Sequence, residues 1–244
     1  PGERLELTLT ATNPSNGPLH FFVGNLPEGA YYDPNTLTLF WKPTADQVFH
    51  TYHFSFMVTD GIHQSSQSAL IRVVPRAIYY TDMETNPNWQ LDEGWAWGTP
   101  TGQGSWNGDP QSGYTGENVV GFNLDGDYAN SMQTTSYATV GPVNCRQYTN
   151  VRLSFRRWLG LEAPYDQANV QVSSDGTNWT DIWTSGYSHI SDSSWQLAEY
   201  ALPPAIVDQQ STVYIRWGIG PTDESVTYPG WNIDDVQLTG DRIE

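Results

Sequence analysis

The side chains best placed to do chemistry stand near the end of the chain, in Trp231-Asn232-Ile233-Asp234-Asp235-Val236. A strand sends successive side chains to opposite faces, so if Val236 and Leu238 enter a core, Asp234 and Asn232 enter with them. A carboxylate on an apolar face is costly unless it takes up a proton or finds an Arg, a set of hydrogen-bond donors or a cation. The surrounding sequence is poor in basic residues and rich in acids, which favours a hard cation with oxygen ligands. Spacing alone leaves one alternative open, that Asp234 and Asp235 cap a turn.

Other candidate chemistry is sparse. The chain has no His-Glu-x-x-His, no Gly-x-Ser-x-Gly and no phosphate loop, and His189 is the sole histidine after residue 76. The abundant acids could supply a pair at glycosidase separation, so a small glycoside-active enzyme is the enzymatic alternative to a non-catalytic chain. Cys145 has no His beside it and reads as a buried or incidental thiol. His50 and His53, three apart on a strand, face opposite sides and cannot jointly grip one metal. The aromatics carry a binding hypothesis, because Trp and Tyr offer flat apolar faces on which sugar rings stack. Trp89, Trp95, Trp97, Trp106 and Tyr114 crowd one glycine-rich stretch and are the candidate ligand-binding residues; Trp158, Trp179, Trp217 and Trp231 lie in strand-like runs and read as core.

The elements that must position these residues are strands. Among 244 residues there are 22 Gly, 16 Pro, 11 Trp and 14 Tyr, and Lys42 is the single lysine, a profile of turns and aromatic strands. Leu5, Leu7 and Leu9 alternate with polar residues, as do Leu37, Leu39 and Trp41, and then Tyr52, Phe54, Phe56 and Val58. Asp33-Pro34-Asn35, Asp60-Gly61 and Asp175-Gly176 supply turns. The sequence predicts an all-β chain of two domains, 1–76 and 77–244, joined through Arg72-Val73-Val74-Pro75-Arg76-Ala77, a linker short enough to pack the domains end to end. With 27 acidic and 10 basic residues the formal charge is -17, which argues against nucleic acid or anionic membrane as partners. No apolar run is long enough for a membrane helix. A start at Pro1 reads as a fragment of something longer, and a single cysteine excludes an internal disulfide, which suits a bacterial secreted chain better than an animal one.

Within the first segment, Leu26-Pro27-Glu28-Gly29, Leu39 to Gln47 and Phe56-Met57-Val58-Thr59-Asp60-Gly61 together resemble the cadherin-like, immunoglobulin-type repeats of bacterial surface and secreted proteins. The resemblance implies a small sandwich serving as spacer or adhesion module. The acidic interdomain motifs of calcium-dependent cadherins are missing, so it carries no metal into this domain. In the second segment the matching pieces are Asp82-Met83-Glu84, Trp97-Gly98-Thr99-Pro100, Gly113-Tyr114-Thr115-Gly116, Asn123 to Tyr128, Ser174 to Trp179 and Gly230 to Val236. Together they resemble the MAM-like jelly-roll module that trails secreted bacterial proteins, including metallopeptidases of the immune inhibitor A type. The resemblance implies a larger antiparallel jelly-roll sandwich, without the cysteines of animal MAM modules. It is shared with carbohydrate-binding jelly rolls in which an early Glu and a strand-end Asn-Ile-Asp hold a structural calcium. That implies Glu84 and Asp234 as calcium ligands, with Asp82, Asp125 and Asp127 as further candidates, although Asp125-Gly126-Asp127 also fits an ordinary turn. The expected function is a non-catalytic accessory region of a secreted or surface bacterial protein, with other domains of that protein, polysaccharide or a surface protein as partners. The alternative is a carbohydrate-binding module.

Overall fold

In a computed structural model the described residues are 4–14, 17–44, 47, 50–73, 77–106 and 108–243. The proposed linker core, residues 74–76, and the turn residues Ser15, Asn16, Ala45 and Asp46 fall outside them. The chain divides into two compact units, 1–76 and 77–244. It is all-β and antiparallel, and no described helix is long and apolar enough to cross a membrane.

The first unit contains β1 (Leu5–Thr8), β2 (His20–Gly24), β3 (Ala30–Asp33), β4 (Thr38–Trp41), β5 (Thr51–Thr59) and β6 (Gln64–Arg72). They form two three-stranded sheets, ordered β1-β4-β3 and β2-β5-β6. The hairpins close as their residue types dictate. The Asp60 carboxylate accepts the backbone N–H of Ile62 at 2.9 Å and that of His63 at 2.7 Å. These donors favour the charged form and hold its pKa down at about 2. Asp33 caps the β3–β4 turn in the same way, accepting the N–H of Asn35 at 2.9 Å. Side chains alternate as the sequence requires, yet among the described residues of this unit only Leu39, Trp41, Phe54 and Val73 are buried hydrophobics.

The second unit contains β7 (Ala77–Thr81), β8 (Gln90–Leu91), β9 (Trp95–Gly98), β10 (Val119–Phe122), β11 (Ser136–Val143), β12 (Tyr148–Leu161), β13 (Ala168–Ser173), β14 (Thr180–Thr184), β15 (Ile190–Ser191), β16 (Gln196–Ala201), the single helical turn α1 (Pro204–Val207), β17 (Val213–Ile219) and β18 (Gly230–Arg242). One sheet runs β15-β12-β18-β10-β9, with β16 also paired to β12 and β7 to β18; the other runs β14-β13-β17-β11-β8. Between them lies one continuous core. An aromatic column forms its centre, with the rings in the stacked and edge-on arrangements that aromatic pairs favour. Trp89 stacks on Trp217 at 5.0 Å, Phe155 meets Trp217 edge-on at 5.3 Å, and Trp183 meets Trp231 at 5.5 Å.

The expected parity of β18 is corrected by its geometry. Trp231 and Ile233 enter the core, and so do Val236 and Leu238, but Asn232 and Asp234 do not accompany them. Asp235 adopts φ 47°, and the pairing with β12 shifts register between Arg156↔Asp234 and Ser154↔Gln237. This is a bulge, in which one extra residue reverses the alternation downstream. Asn232 and Asp234 therefore point to the outer face of the sheet, where they are nonetheless 2% and 0% exposed.

The two units differ in how completely they bury their inner faces, and stability should follow. Calorimetry is expected to show two transitions, the lower belonging to the first unit. Trp41→Ala removes a side chain that makes edge contacts with Tyr52 and Phe54. It should abolish the lower transition at a cost of about 3–5 kcal/mol and leave the upper one in place. A single transition shifted by this substitution would contradict independent units.

Candidate functional site

What buries Asn232 and Asp234 is the long segment between β9 and β10, residues 99–118, whose described residues form no strand or helix and lie back over the outer face of the sheet. Loops this long are uncommon in compact domains unless they have a task. Its attachments are specific. The Trp158 indole N–H donates to the Gly108 carbonyl at 3.0 Å, and the Asn232 amide donates to Asp109 Oδ1 at 3.2 Å. The Thr115 backbone N–H donates to Asp234 Oδ2 at 3.0 Å, while its hydroxyl donates to Asp235 Oδ1 at 2.9 Å. The backbone N–H groups of Glu117 and Asn118 both donate to Glu84 Oε1, at 2.9 and 2.8 Å. The Arg156 guanidinium lies 3.9 Å from the Tyr114 ring centroid, within cation–π range.

Two glycines make this approach possible. A Cβ on Gly116, which sits at φ +64°, would fall within 2.4 Å of both Glu84 carboxylate oxygens. A Cβ on Gly113 would fall 2.4 Å from the Thr115 carbonyl oxygen, 2.8 Å from Asp234 Oδ2 and 3.0 Å from the Asn118 carbonyl oxygen. Three oxygens thus converge beside Gly113, and Glu84 bonds the same segment through the N–H groups of Glu117 and Asn118. Burial pushes the Asp234 carboxyl up to about 7, against the opposing effect of its backbone donors. Among the described residues no Lys, Arg or His forms an ion pair with Asp234 or Glu84. Nor does any group of three or more His, Cys, Asp or Glu side chains among them converge on one point. A cation here would draw on two carboxylates and on backbone carbonyls, a mixture that calcium accepts.

The remaining candidates separate. Asp82 accepts the Glu84 N–H at 3.2 Å and shapes the turn that presents it. Asp127 belongs to another tether: it accepts the backbone N–H and hydroxyl of Ser105 at 2.7 and 2.6 Å and the Thr227 hydroxyl at 3.1 Å. Asp125 lies in the turn before it. Trp89 and Trp95, expected with the ligand-binding residues, are core at 8% and 6% exposure, because β8 and β9 turn them under the sheets. Trp97 is half-buried, its indole N–H donating to the Met83 carbonyl at 2.7 Å. Only Trp106 and Tyr114 of that group are exposed. Trp106, at φ 47°, stacks on Tyr228 at 5.2 Å, and His189 also stacks on Tyr228, at 6.1 Å. Cys145 is buried, and burial pushes its thiol up to about 11, away from nucleophilic use.

One aromatic surface escaped the sequence reading. On the outer face of the second sheet the Arg216 guanidinium lies between Tyr137 and Trp179, 3.7 and 3.9 Å from their ring centroids, and its Nε donates to Gln171 Oε1 at 2.7 Å. The register of β11, β17 and β13 brings Tyr137, Arg216 and Gln171 together from distant points of the chain, and Trp179 joins them from the turn between β13 and β14. Strand parity was the available signal, but it could not say which strands were neighbours.

No family model matches the chain. Bacillopeptidase F of Bacillus subtilis is 31% identical over 167 residues, covering 66% of this chain and 10% of that protein; the chain spans about a tenth of the length of this curated relative. Among solved structures, the N-terminal tandem CBM22 domain of Xyn10C from Paenibacillus barcinonensis covers 98% of this chain and 77% of its own, with TM-score 0.44 and 15% identity. A cleaved adhesin domain of Lys-gingipain from Porphyromonas gingivalis covers 67% of this chain and 98% of its own, with TM-score 0.41 and 14% identity.

Asp109 provides a measurable handle on the 99–118 segment. It is 8% exposed, its Oδ2 and the neighbouring Asn232 Oδ1 have no hydrogen-bond partner among the described residues, and burial pushes its carboxyl up to about 7 against the opposing effect of the Gly104 and Asn232 donors. A carboxyl whose folded pKa lies above its unfolded value holds its proton longer in the folded chain, so stability falls as pH rises from about 4 to about 7 and levels off above. Asp109→Asn removes that charge. The melting temperature of the variant relative to the parent should rise across this interval, and parallel pH profiles would show that Asp109 ionises freely in the folded state.

Proposed function

We propose that this chain is a non-catalytic accessory region of a larger secreted or surface bacterial protein, and that its second unit carries a structural calcium ion held by Glu84 and Asp234. The observation that carries the reading is the convergence of the buried Asp234 carboxylate with the Thr115 and Asn118 carbonyl oxygens beside Gly113, with no cationic side chain among the described residues bonded to that carboxylate. Bound there, calcium would supply positive charge to a carboxylate that burial otherwise disfavours. It would also tie the first and last strands of the unit, which pair through Val236↔Thr81, to the 113–118 turn. The accessory role draws support from what the acids do. Glu84, Asp127, Asp166 and Asp208 each accept backbone or hydroxyl donors that fix a loop. The similar segment of Bacillopeptidase F is likewise a small part of a much longer protein.

Ligand binding to the folded state alone stabilises by about 2.7 kcal/mol when calcium stands a hundredfold above its dissociation constant. Adding calcium to chelator-treated protein should raise the upper melting transition by roughly 5–10 °C. Asp234→Asn and Glu84→Gln should each remove that response, and Asp127→Asn should keep it at a lower baseline. An unchanged transition, or a response lost in Asp127→Asn and retained in Asp234→Asn, would reject the assignment.

A second reading, carbohydrate binding, is favoured by Trp106. It is 58% exposed, and its ring stacks on Tyr228, a presentation on which a sugar ring can stack. Affinity electrophoresis against soluble neutral polysaccharides should show retardation that Trp106→Ala abolishes. Migration identical across the panel would leave only the structural role.

A further inference from the structure

The outer face of the sheet β14-β13-β17-β11-β8 carries one line of polar side chains from edge to edge. Register sets Gln90 beside Thr139, Thr139 beside Arg216, Arg216 beside Gln171 and Gln171 beside Asp181, one residue from each strand. Ala138, Val140, Ile215, Trp217, Val170 and Val172, which flank the line along its three middle strands, belong to the core, so parity turns the line outward. With strands about 4.8 Å apart, it runs about 19 Å across the sheet.

Arg216, at the middle of the line, is fixed in place with most of its donors unspent. Tyr137 and Trp179 enclose the guanidinium, and its Nε–H donates to Gln171 Oε1 at 2.7 Å. The Gln171 amide in turn donates to Asp181 Oδ1 at 2.8 Å, which keeps Gln171 from swinging away. Gly218 admits the Tyr137 ring, since a Cβ there would stand 2.6 Å from Tyr137 Cε1. Burial lowers the Arg216 pKa, against the opposing effect of Tyr137, Asp92 and Asp181 nearby. Among the described residues no acceptor meets its Nη–H donors and no carboxylate forms an ion pair with it. A guanidinium already held in one orientation loses little freedom when a ligand bonds to it.

The line offers donors at Arg216 and an acceptor at Asp181 Oδ2, with Thr139 and Gln90 able to act as either. A carboxylate, phosphate or sulfate only accepts, and would meet the repulsion of Asp92 and Asp181 on a chain of net charge -17. An ammonium only donates, and would meet the guanidinium. A polypeptide would lie over strands whose backbone groups are already spent on one another, without the ladder on which strand recognition relies. Hydroxyl groups both donate and accept, and two on adjacent carbons present paired oxygens to the two Nη atoms.

We propose that this line is a binding site for a neutral polysaccharide chain laid across the strands, with Arg216 donating to a pair of adjacent sugar hydroxyls, and Asp181 on one side and Thr139 and Gln90 on the other bonding further hydroxyls. The site shares its class of ligand with the Trp106 reading and none of its residues. Tyr137 and Trp179 serve here to hold the cation, and recognition is by hydrogen bonds.

The test follows the Arg216 Nε–H signal in the nitrogen-edited NMR spectrum of the whole chain, identified by its loss in Arg216→Lys. The probes are neutral hexasaccharides from cellulose, xylan and mannan, with hexagalacturonate as the anionic counterpart. At least one neutral probe should move the signal saturably, and hexagalacturonate should bind more weakly than that probe. By titration calorimetry Arg216→Lys, which loses the paired Nη donors, should weaken binding about tenfold. Thr139→Val, which keeps the β-branched shape and leaves the cation in place, should weaken it severalfold, and Trp106→Ala should leave the movement of the signal unchanged. A signal that no neutral probe moves at millimolar concentration overturns the proposal, as does hexagalacturonate binding at least as tightly as the best neutral probe. Unaltered affinity in both Arg216→Lys and Thr139→Val overturns it as well. Movement lost in Trp106→Ala would place the sugar at Trp106 alone, whereas a signal that moves while Trp106→Ala changes no retardation on electrophoresis would reject the Trp106 reading and keep this site.

Discussion

The second unit depends on one strand serving two interiors. β18 is paired on both sides, to β12 and to β7 or β10, and is buried above and below for most of its length. Its inner side chains form the core between the sheets, and its outer ones, Asn232 and Asp234, lie under the 99–118 segment. The left-handed residue Asp235 reconciles these demands. Such a conformation costs a non-glycine residue about 1–2 kcal/mol. That cost is offset locally, because the Asp235 carboxylate accepts the Thr115 hydroxyl at 2.9 Å and the Tyr80 hydroxyl at 3.2 Å. Without the bulge, either Val236 and Leu238 would leave the core or Asp234 would enter it.

The acidic composition takes on a structural meaning in this setting. A chain with one lysine cannot pair most of its acids with cations, and here they pair with backbone N–H groups. Asp60 and Asp175 close hairpins, Asp208 accepts the N–H groups of Asn150 and Val151, and Glu84 accepts those of Glu117 and Asn118. For Asp175 the backbone N–H and the side-chain amide of Asn178, with the backbone N–H of Thr177, hold the carboxyl well below the usual carboxylate range. Charge-assisted bonds to backbone donors are stronger than neutral ones, and an irregular loop has free donors that a sheet lacks. In a fold with almost no helix, carboxylates thereby do for the loops what ladder bonds do for the strands. Asp109 and Asp234 differ from the others because they are enclosed, with too few donors to offset their burial.

Much of the architecture was legible because its rules are local. Period-two alternation identified β1, β4, β5 and β18, and Asp-Gly pairs located hairpins that the structure closes with side-chain caps. Asp234 and Glu84 were found to serve one turn, but the parity argument that singled out Asp234 was wrong about its face, since a bulge is set by a single backbone angle and by register with a distant strand. The aromatics show the same boundary. Trp89, Trp95 and Trp106 occupy one glycine-rich run and have the same local signal, yet the first two are core and the third is exposed. Which of them is covered depends on β11, β17 and the loop before β18, all remote in sequence. The Tyr137, Arg216 and Trp179 cluster was invisible for the complementary reason, since its members are neighbours only through sheet order.

Alternation also says nothing about closure. It states which way a side chain points, and burial requires in addition that something stand in front of it. In the second unit the outer face of the larger sheet has a covering segment, and Asn232 and Asp234 are as enclosed as the core aromatics. In the first unit Leu7, Phe21 and Val58 point inward as correctly as Leu39 and Phe54, but β1 and β6 end their sheets and no described residue spans the gap between them. Two three-stranded sheets have four edges for six strands, so a missing neighbour at one rim exposes a large part of the interior. The incomplete burial of this unit is therefore a consequence of strand count, and no substitution within the existing strands would remove it.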